Sequence, residues 1–517
     1  MEHHALSTAA LEPVPVQRVA LIEPVHYARA APLLEPFATN PEKPSSIIEL
    51  SIQIDSHDGF MENLLRSEEP WRVNASKPWR SDALETFVEQ LQLGTKLQEA
   101  LLKGVRREAI EGDVDLYTEQ CGQSAEDRAE QWKDVRQDEA IALLLMATSP
   151  HIETLRLGTE LPANSLLEQY ITYGNYGRIP KVLPKLKHVE FFTTSNIFND
   201  PRLYHQFEFM QLMQLVHRLP LLESVKIERA TDEHLSFGWF VPRCGNRKRL
   251  EITHCDIGSE VIEMLLLIPQ ELEELVFSSG GLTSIDGSYS TLSIIAVRQA
   301  LNAHHKTLTT LDLDMEMRMD DIQAGGRDYD HDENYHDGRE VYDKPLSWDE
   351  NDLVFREFWL QDKRASKANH SMIAETLVTH QGTATLRGCS FADYPKLQHL
   401  RIGIKSLLGV VMFDWEGEPY NSKEVTKLPP GGPRLVDRLP PSLVTLAIYG
   451  YERGHCQDVD EQIDELLRER QTRLPLLEKV EGIETKIKSL GDLFGHIDYG
   501  DEDDELWTEE ERDWTWI

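Results

Sequence analysis

The chain has 517 residues, 40% of them hydrophobic, and 53 Lys and Arg against 89 Asp and Glu give a formal net charge of −36. Nucleic acid and anionic membranes are held by clustered Lys and Arg, so this balance argues against both as the main partner and favours a basic partner, if a charged one. Five widely spaced cysteines (Cys121, Cys244, Cys255, Cys389 and Cys456) with no C-x-x-C pair argue against a disulfide framework or a zinc module; they point to reduced thiols in an intracellular protein, cytoplasmic or nuclear.

The first 17 residues, MEHHALSTAALEPVPVQ, lack a charged region followed by an apolar stretch, so no signal peptide is expected. Residues 1–45 read as an N-terminal segment, partly disordered or a helical cap. Residues 46–150 read as a first strand, IIELSI, followed by a helical elaboration with helices over Ser81 to Lys103 and Ala125 to Met146. The longest apolar run, Ala140 to Ala147, is far too short to span a bilayer.

From Ile152 onward one frame recurs, apolar-x-x-apolar-x-apolar. Its copies are IETLRL, LKHVEF, LESVKI, LEELVF and LTTLDL within residues 151–320, then LQHLRI and LVTLAI within 366–490. RKRLEI is a weaker copy with Arg247 at the first position, and LEKVEG loses its third position to Gly482. Middle positions from Leu155 to Leu311 are spaced by about 25 or about 35 residues, the range of leucine-rich repeats and longer relatives of them. The apolar-x-apolar ending of each copy is a short strand with its apolar side chains on one face. Helical stretches lie between copies: Leu203 to Arg218, Ile257 to Ile268 with Ser259 as cap, Ser290 to His305, and Asp458 to Arg470. Pro220, Pro269 and Pro475 stop such helices just before the next strand, because Pro cannot continue a helix. One unit cannot bury its apolar face alone, whereas stacked units bury a continuous core. The expected fold class is therefore α/β: a leucine-rich-repeat-like solenoid with parallel strands on the concave face, helices on the convex face, a helical N-terminal elaboration and an acidic insertion.

That insertion covers residues 321–365; from Asp321 to Asp352 it holds eleven acidic and three basic residues, and it reads as a solvated loop. The apolar run Leu353 to Leu360 reads as packing back on the solenoid or helping to form a partner site. Residues 491–517 form an acidic tail carrying Trp507, Trp514 and Trp516, read as a disordered tail, as a cap on the last repeat or as a short motif for a basic, apolar partner. Asp328, Asp330 and Asp332 open like a calcium loop, but Glu333 stands where Gly is needed and Arg339 where Glu is needed, so an EF-hand is rejected. No phosphate loop of the Walker type, G-x-G-x-x-G, H-E-x-x-H or G-x-S-x-G occurs. His254 and Cys255 are adjacent in sequence, which says little about a catalytic pair made in space. No catalytic residue, metal site or cofactor is expected.

On the strand register, the side chains between the apolar positions face outward. The candidate binding residues are Thr154, Arg156, His188, Glu190, Ser224, Lys226, Arg249, Glu251, Glu274, Thr310, Asp312, His399 and Arg401, with Val276, Thr445 and Ala447 beside them. Arg156, Lys226 and Arg249 suggest a basic early half, and Glu274 and Asp312 an acidic continuation. A slip of one residue would invert every assignment.

MATSPHIETLRL, LPKLKHVEF, LPLLESVKI and LPPSLVTLAIYG resemble the repeat region of the fungal F-box/leucine-rich-repeat proteins, over roughly Ile47 to Ile483. The resemblance implies a repeat surface that holds a substrate for ubiquitination, and an F-box that binds a Skp1-type adaptor. No F-box is recognisable in the first 45 residues. The function expected is a non-enzymatic protein–protein interaction scaffold. The alternatives are an enzyme with a loop-assembled, metal-dependent site, and an architectural protein that binds basic partners through its acidic loop and tail.

Overall fold

The computed structural model describes residues 17–22, 24–40, 45–54, 82–108, 125–159, 161, 165–177, 179, 182–192, 204–206, 209–231, 243, 245–282, 292, 294–316, 390–408 and 434–489. The strands are β1 (Arg18–Leu21), β2 (Glu49–Ile52), β3 (Thr154–Gly158), β4 (His188–Phe192), β5 (His205–Gln206), β6 (Ser224–Glu228), β7 (Ala230–Thr231), β8 (Arg249–Cys255), β9 (Glu274–Ser279), β10 (Thr310–Asp314), β11 (His399–Gly403), β12 (Thr445–Tyr449) and β13 (Lys479–Glu481). The helices are α1 (Pro24–Thr39), α2 (Asp82–Gln90), α3 (Thr95–Arg106), α4 (Ala125–Thr148), α5 (Leu166–Asn175), α6 (Phe209–Val216), α7 (Ser259–Leu267), α8 (Ile294–Asn302), α9 (Ile404–Leu408) and α10 (Gln457–Arg473). Apart from the small pair β5–β7, the strands form one eleven-stranded sheet in chain order. Every pairing in it is parallel.

Each copy of the sequence frame supplies one strand, and all share one register. Val19, Leu50, Leu155, Val189, Val225, Leu250, Leu275, Leu311, Leu400, Leu446 and Val480 stand side by side across the whole sheet. Two residues on, Leu21, Ile52, Leu157, Phe191, Ile227, Ile252, Phe277, Leu313, Ile402 and Ile448 make a second row. With buried residues of the helices these rows form one continuous core cluster. The units are also joined ahead of the strands. Glu153 and Thr154 both donate their N–H to the Ile48 carbonyl, and the same fork recurs on the carbonyls of Glu153, Lys187, Glu223, Lys248, Glu273, Thr309, Gln398 and Val444.

The two irregular copies keep their places by other means. Arg247 is fully buried at the position that Leu fills elsewhere, and it donates from Nη2 to the Leu265 carbonyl at 3.0 Å near the end of α7. Gly482 has φ +81°, and a Cβ there would lie 2.1 Å from the Ile448 carbonyl oxygen, so the backbone passes closer than any other residue allows.

Helix ends leave carbonyls without intrahelical donors, and buried polar side chains from neighbouring units supply them. His304 Nε2 reaches the Leu266 carbonyl at 2.6 Å while its Nδ1 accepts the Leu272 N–H at 3.1 Å. Arg438 donates to the Leu407 carbonyl at 2.9 Å, and Asn175 to that of Gln214 at 2.7 Å. Glu139 works at the other end of a helix, accepting the Leu166 N–H at 3.0 Å and the Ser165 hydroxyl at the start of α5, with Arg136 as its buried ion-pair partner at 2.5 Å.

Several elements differ from the sequence expectation. The sheet begins one strand earlier, at β1, inside the segment read as a disordered or helical cap. α1 contains Pro32 and Pro36, which sequence rules treat as breakers; both sit on its exposed side, while Tyr27, Ala30, Ala31 and Leu34 bury the other face. The helix expected over Ser81 to Lys103 is two helices, broken at Gly94 with φ +85°. Ser259 is the first residue of α7 rather than its cap, and Gly258 is the cap. The insertion 321–365 with its calcium-like run and Leu353 to Leu360, the tail 491–517, and Cys121, Cys244 and Cys389 lie outside the described residues. Cys255 and Cys456 are free thiols.

Two expectations follow. Leu275→Ala removes a fully buried side chain from the middle of the sheet, and urea unfolding should show a loss of roughly 2–5 kcal/mol. Burial holds His217 down to about 3 and His304 to about 4, against an ordinary value of 6.5. A histidine kept neutral in the fold protonates on unfolding, so stability should fall as pH drops from about 6.5 to about 4. His304 contributes roughly 3 kcal/mol of that loss. His304→Gln should reduce the slope of unfolding free energy against pH over this range, and an unchanged slope would contradict the assignment.

Candidate binding face

The parallel register that buries one face sorts the side chains of the other into rows. The first outer row runs Thr154, His188, Ser224, Arg249, Glu274, Thr310, His399 and Thr445, strand by strand. The second runs Arg156, Glu190, Lys226, Glu251, Val276, Asp312, Arg401 and Ala447. All the candidate residues named from sequence thus lie on one side of the sheet. Towards the two ends of the sheet the outward positions Ala20, Ser51 and Ala447 are buried, while Arg18 on β1 and Lys479 and Glu481 on β13 are exposed; from β3 to β11 the outward positions of both rows are at least partly accessible.

A third row was not foreseen. Glu153, Lys187, Glu223, Lys248 and Glu273 are the residues just ahead of successive strands, aligned by the carbonyl forks. This entry row alternates in sign. The second outer row alternates too, out of phase with it, from Arg156 to Glu251. The result is a checkerboard whose neighbours pair across strands. Arg156 meets Glu49 at 3.2 Å and Glu190 at 3.0 Å; Lys226 meets Glu251 at 3.3 Å. Arg249 meets Glu251 of its own strand at 3.0 Å and Glu274 of the next strand at 3.6 Å. In the entry row, Lys187 meets Glu153 at 3.0 Å and Lys248 meets Glu273 at 2.8 Å. Hydrogen bonding and charge from Lys187 hold the Glu153 carboxyl below its usual value, and Glu273 holds Lys248 above its own. The basic early half expected from sequence is therefore neutralised in place: each cation there faces a carboxylate on the next strand. The exposed pairs of the entry row contribute about 0–1 kcal/mol each, so they orient side chains more than they stabilise the fold.

Between the charged rows the middle track is softer. His188 Nδ1 lies 2.8 Å from the Ser224 hydroxyl, and at the far end His399 Nδ1 lies 2.9 Å from that of Thr445. A cavity of about 450 Å³ opens over β3 to β9. Its lining includes Thr154, Arg156, His188, Glu190, Ser224, Lys226, Arg249, Glu251 and Glu274, together with Glu223, Lys248 and Glu273 of the entry row. Thr310, Asp312, His399 and Arg401 share the face but not the cavity. They sit with Tyr449, which sequence reading passed over. Its hydroxyl donates to Asp312 Oδ1 at 2.7 Å and accepts from Arg401 Nε at 3.0 Å, and the Arg401 guanidinium lies 5.3 Å from the ring centroid. Burial raises the Asp312 carboxyl above its ordinary value, which the Tyr449 hydroxyl partly offsets. The signal was present: the alternation in LVTLAIY, carried one step further, puts Tyr449 on the outward side with Thr445 and Ala447.

Cys255 is fully buried and burial pushes its thiol pKa up, so the adjacent His254 and Cys255 do not make an activated nucleophile. Among the described residues no group of His, Cys, Asp and Glu is placed to hold a metal ion. No helix among them is long and apolar enough to cross a membrane. Neither a protein-family model nor a curated protein matches the chain.

Tyr449→Phe should cost about 0.5–1.5 kcal/mol in denaturant unfolding, because the half-buried Asp312 carboxylate loses one of its two partners and keeps only Arg401, at 3.2 Å. A loss near zero would mean that solvent replaces the hydroxyl.

Proposed function

We propose that the chain is a leucine-rich-repeat-like solenoid that binds a protein partner on the outer face of its sheet and performs no catalysis itself. The observation that carries this reading is the chain-order parallel ladder, whose outward side chains are mostly polar and at least partly accessible from β3 to β11, with those of β3 to β9 gathered around a cavity. Rigid strands hold those side chains in fixed rows, which suits recognition of an extended surface. The formal charge of −36 supports a protein rather than nucleic acid or an anionic membrane as partner.

The likeness to fungal F-box/leucine-rich-repeat proteins supports a substrate-receptor version of the same reading. The arrangement of Arg18 to Thr39 weighs against an adaptor-binding bundle within those residues, because they supply the edge strand and the helix packed beside it. A Skp1-type adaptor that copurifies with the full chain and is lost on removal of residues 1–16 would support the receptor version. Deletion through residue 44 would instead strip β1 and α1 from the sheet.

The face itself is tested by Lys226→Glu combined with Arg249→Glu. Partners captured quantitatively by the full-length chain should be recovered about tenfold less by this variant. Its melting temperature should move by only a few degrees, about 2–4 °C. Undiminished recovery of every partner would remove the face from the account.

A further inference from the structure

The outer face has a periodicity that selects among kinds of partner, and the inference drawn from it rests on the face being the binding surface. Thr154, His188 and Ser224 form a floor of modest side chains across β3, β4 and β6, and Arg249 ends it at β8, where it is held to Glu251 and Glu274. The entry row walls this floor on one side and the second outer row on the other. The walls stand three residues apart along each strand, about 10 Å, which matches the diameter of an α-helix with its side chains.

Spacing along the trough points the same way. Parallel strands lie about 4.8 Å apart, so the charge in each wall reverses every 4.8 Å or so. One turn of α-helix advances about 5.4 Å. From β3 to β8 the three strand spacings total about 14 Å, against about 16 Å for three helical turns and about 20 Å for three same-face steps of an extended chain. Flexible Lys and Glu side chains absorb a 2 Å misfit or so, whereas a misfit of about 6 Å exceeds one strand spacing and puts like charges opposite each other. Charges of opposite sign one turn apart are also the pattern by which exposed helices stabilise themselves through i,i+4 pairs. The entry-row pairs Lys187–Glu153 and Lys248–Glu273 are largely exposed and individually weak, and those of the second outer row are partly exposed, so a partner that offers the same pairing exchanges most readily with the entry row.

We propose that this trough seats one α-helix of the partner protein, lying across β3 to β8, with acidic and basic side chains alternating turn by turn along its flanks. The sequence of the partner enters only through that alternation; net charge does not select it, because each wall is close to neutral.

Two labelled helical peptides of about 20 residues test this by fluorescence anisotropy with the full-length chain. In one, Glu and Lys alternate at each turn along both flanks. In the other, the same residues are arranged as one acidic and one basic block, so that composition and net charge are equal. The alternating peptide should bind about tenfold more tightly than the block peptide. Lys226→Glu, which places three carboxylates in succession along one wall, should weaken that binding about fivefold, while Arg468→Ala on α10 should leave it unchanged. Equal binding of the two peptides would overturn the proposal in favour of a response to charge alone. Binding of neither would overturn the helical occupant. If partner capture still depends on Lys226 and Arg249 in that case, the binding face stands with another occupant; if capture is also indifferent to them, both readings fall.

Discussion

The structure depends on one constraint, a parallel backbone ladder kept in a single register over eleven strands. Side chains alternate along a strand, so register decides what is inside and what is outside. Because each unit repeats the same frame, the middle apolar positions of the copies land in one unbroken row, and the third positions land in a second row that stops short of β13, where Gly482 stands. The same constraint sorts the outward residues into rows of their own. The checkerboard of charges is therefore a by-product of stacking: residues one strand apart lie about 4.8 Å from one another, close enough for Lys or Arg to reach Glu. A slip by one residue anywhere would expose an apolar row and bury a charged one.

Keeping that register requires every unit to join the next in the same way. The forked hydrogen bonds ahead of the strands do this with the backbone. His304, Arg438 and Asn175 do it with side chains that satisfy carbonyls near the ends of helices. Arg247 belongs with them. It is charged where other copies are apolar, yet it occupies the same buried place and spends its guanidinium on the end of α7. Such groups are costly to bury without partners, which explains why they appear where helix ends offer acceptors. They also make part of the fold's stability depend on keeping histidines neutral.

Much of the fold was legible because its signal is local and repeated. Leu-x-x-Leu-x-Leu reports both the strand and its inward face, and Leu222, Val225 and Ile227 could be placed from spacing alone. What the frame could not report came from tertiary context. β1 also fits it, as Val16-Gln17-Arg18-Val19-Ala20-Leu21, but the surrounding prolines obscured the match. α1 folds through two prolines because burial of Tyr27 and Leu34 outweighs the lost backbone hydrogen bonds. On the outer face, sequence named the members of the rows but not their pairing. Whether Arg156 is a free cation or a neutralised one depends on Glu49 and Glu190, which are distant in the chain and adjacent only once the strands stack. The entry row was missed for a related reason: its residues precede the strands, where alternation gives no direction.

The central claim is that successive copies of the frame lie side by side in chain order. A distance measurement across the sheet tests it most directly. Nitroxide labels introduced at Thr154 and Thr310 through a non-natural amino acid leave the native cysteines untouched. Both positions belong to the first outer row, on β3 and β10, with β4, β6, β8 and β9 between them. Pulsed electron–electron resonance should give one narrow distribution near 24 Å or so, five strand spacings, broadened by the label tethers. A distribution centred below about 15 Å, or one spread without a maximum, would mean that the strands are not stacked in chain order and would contradict the account.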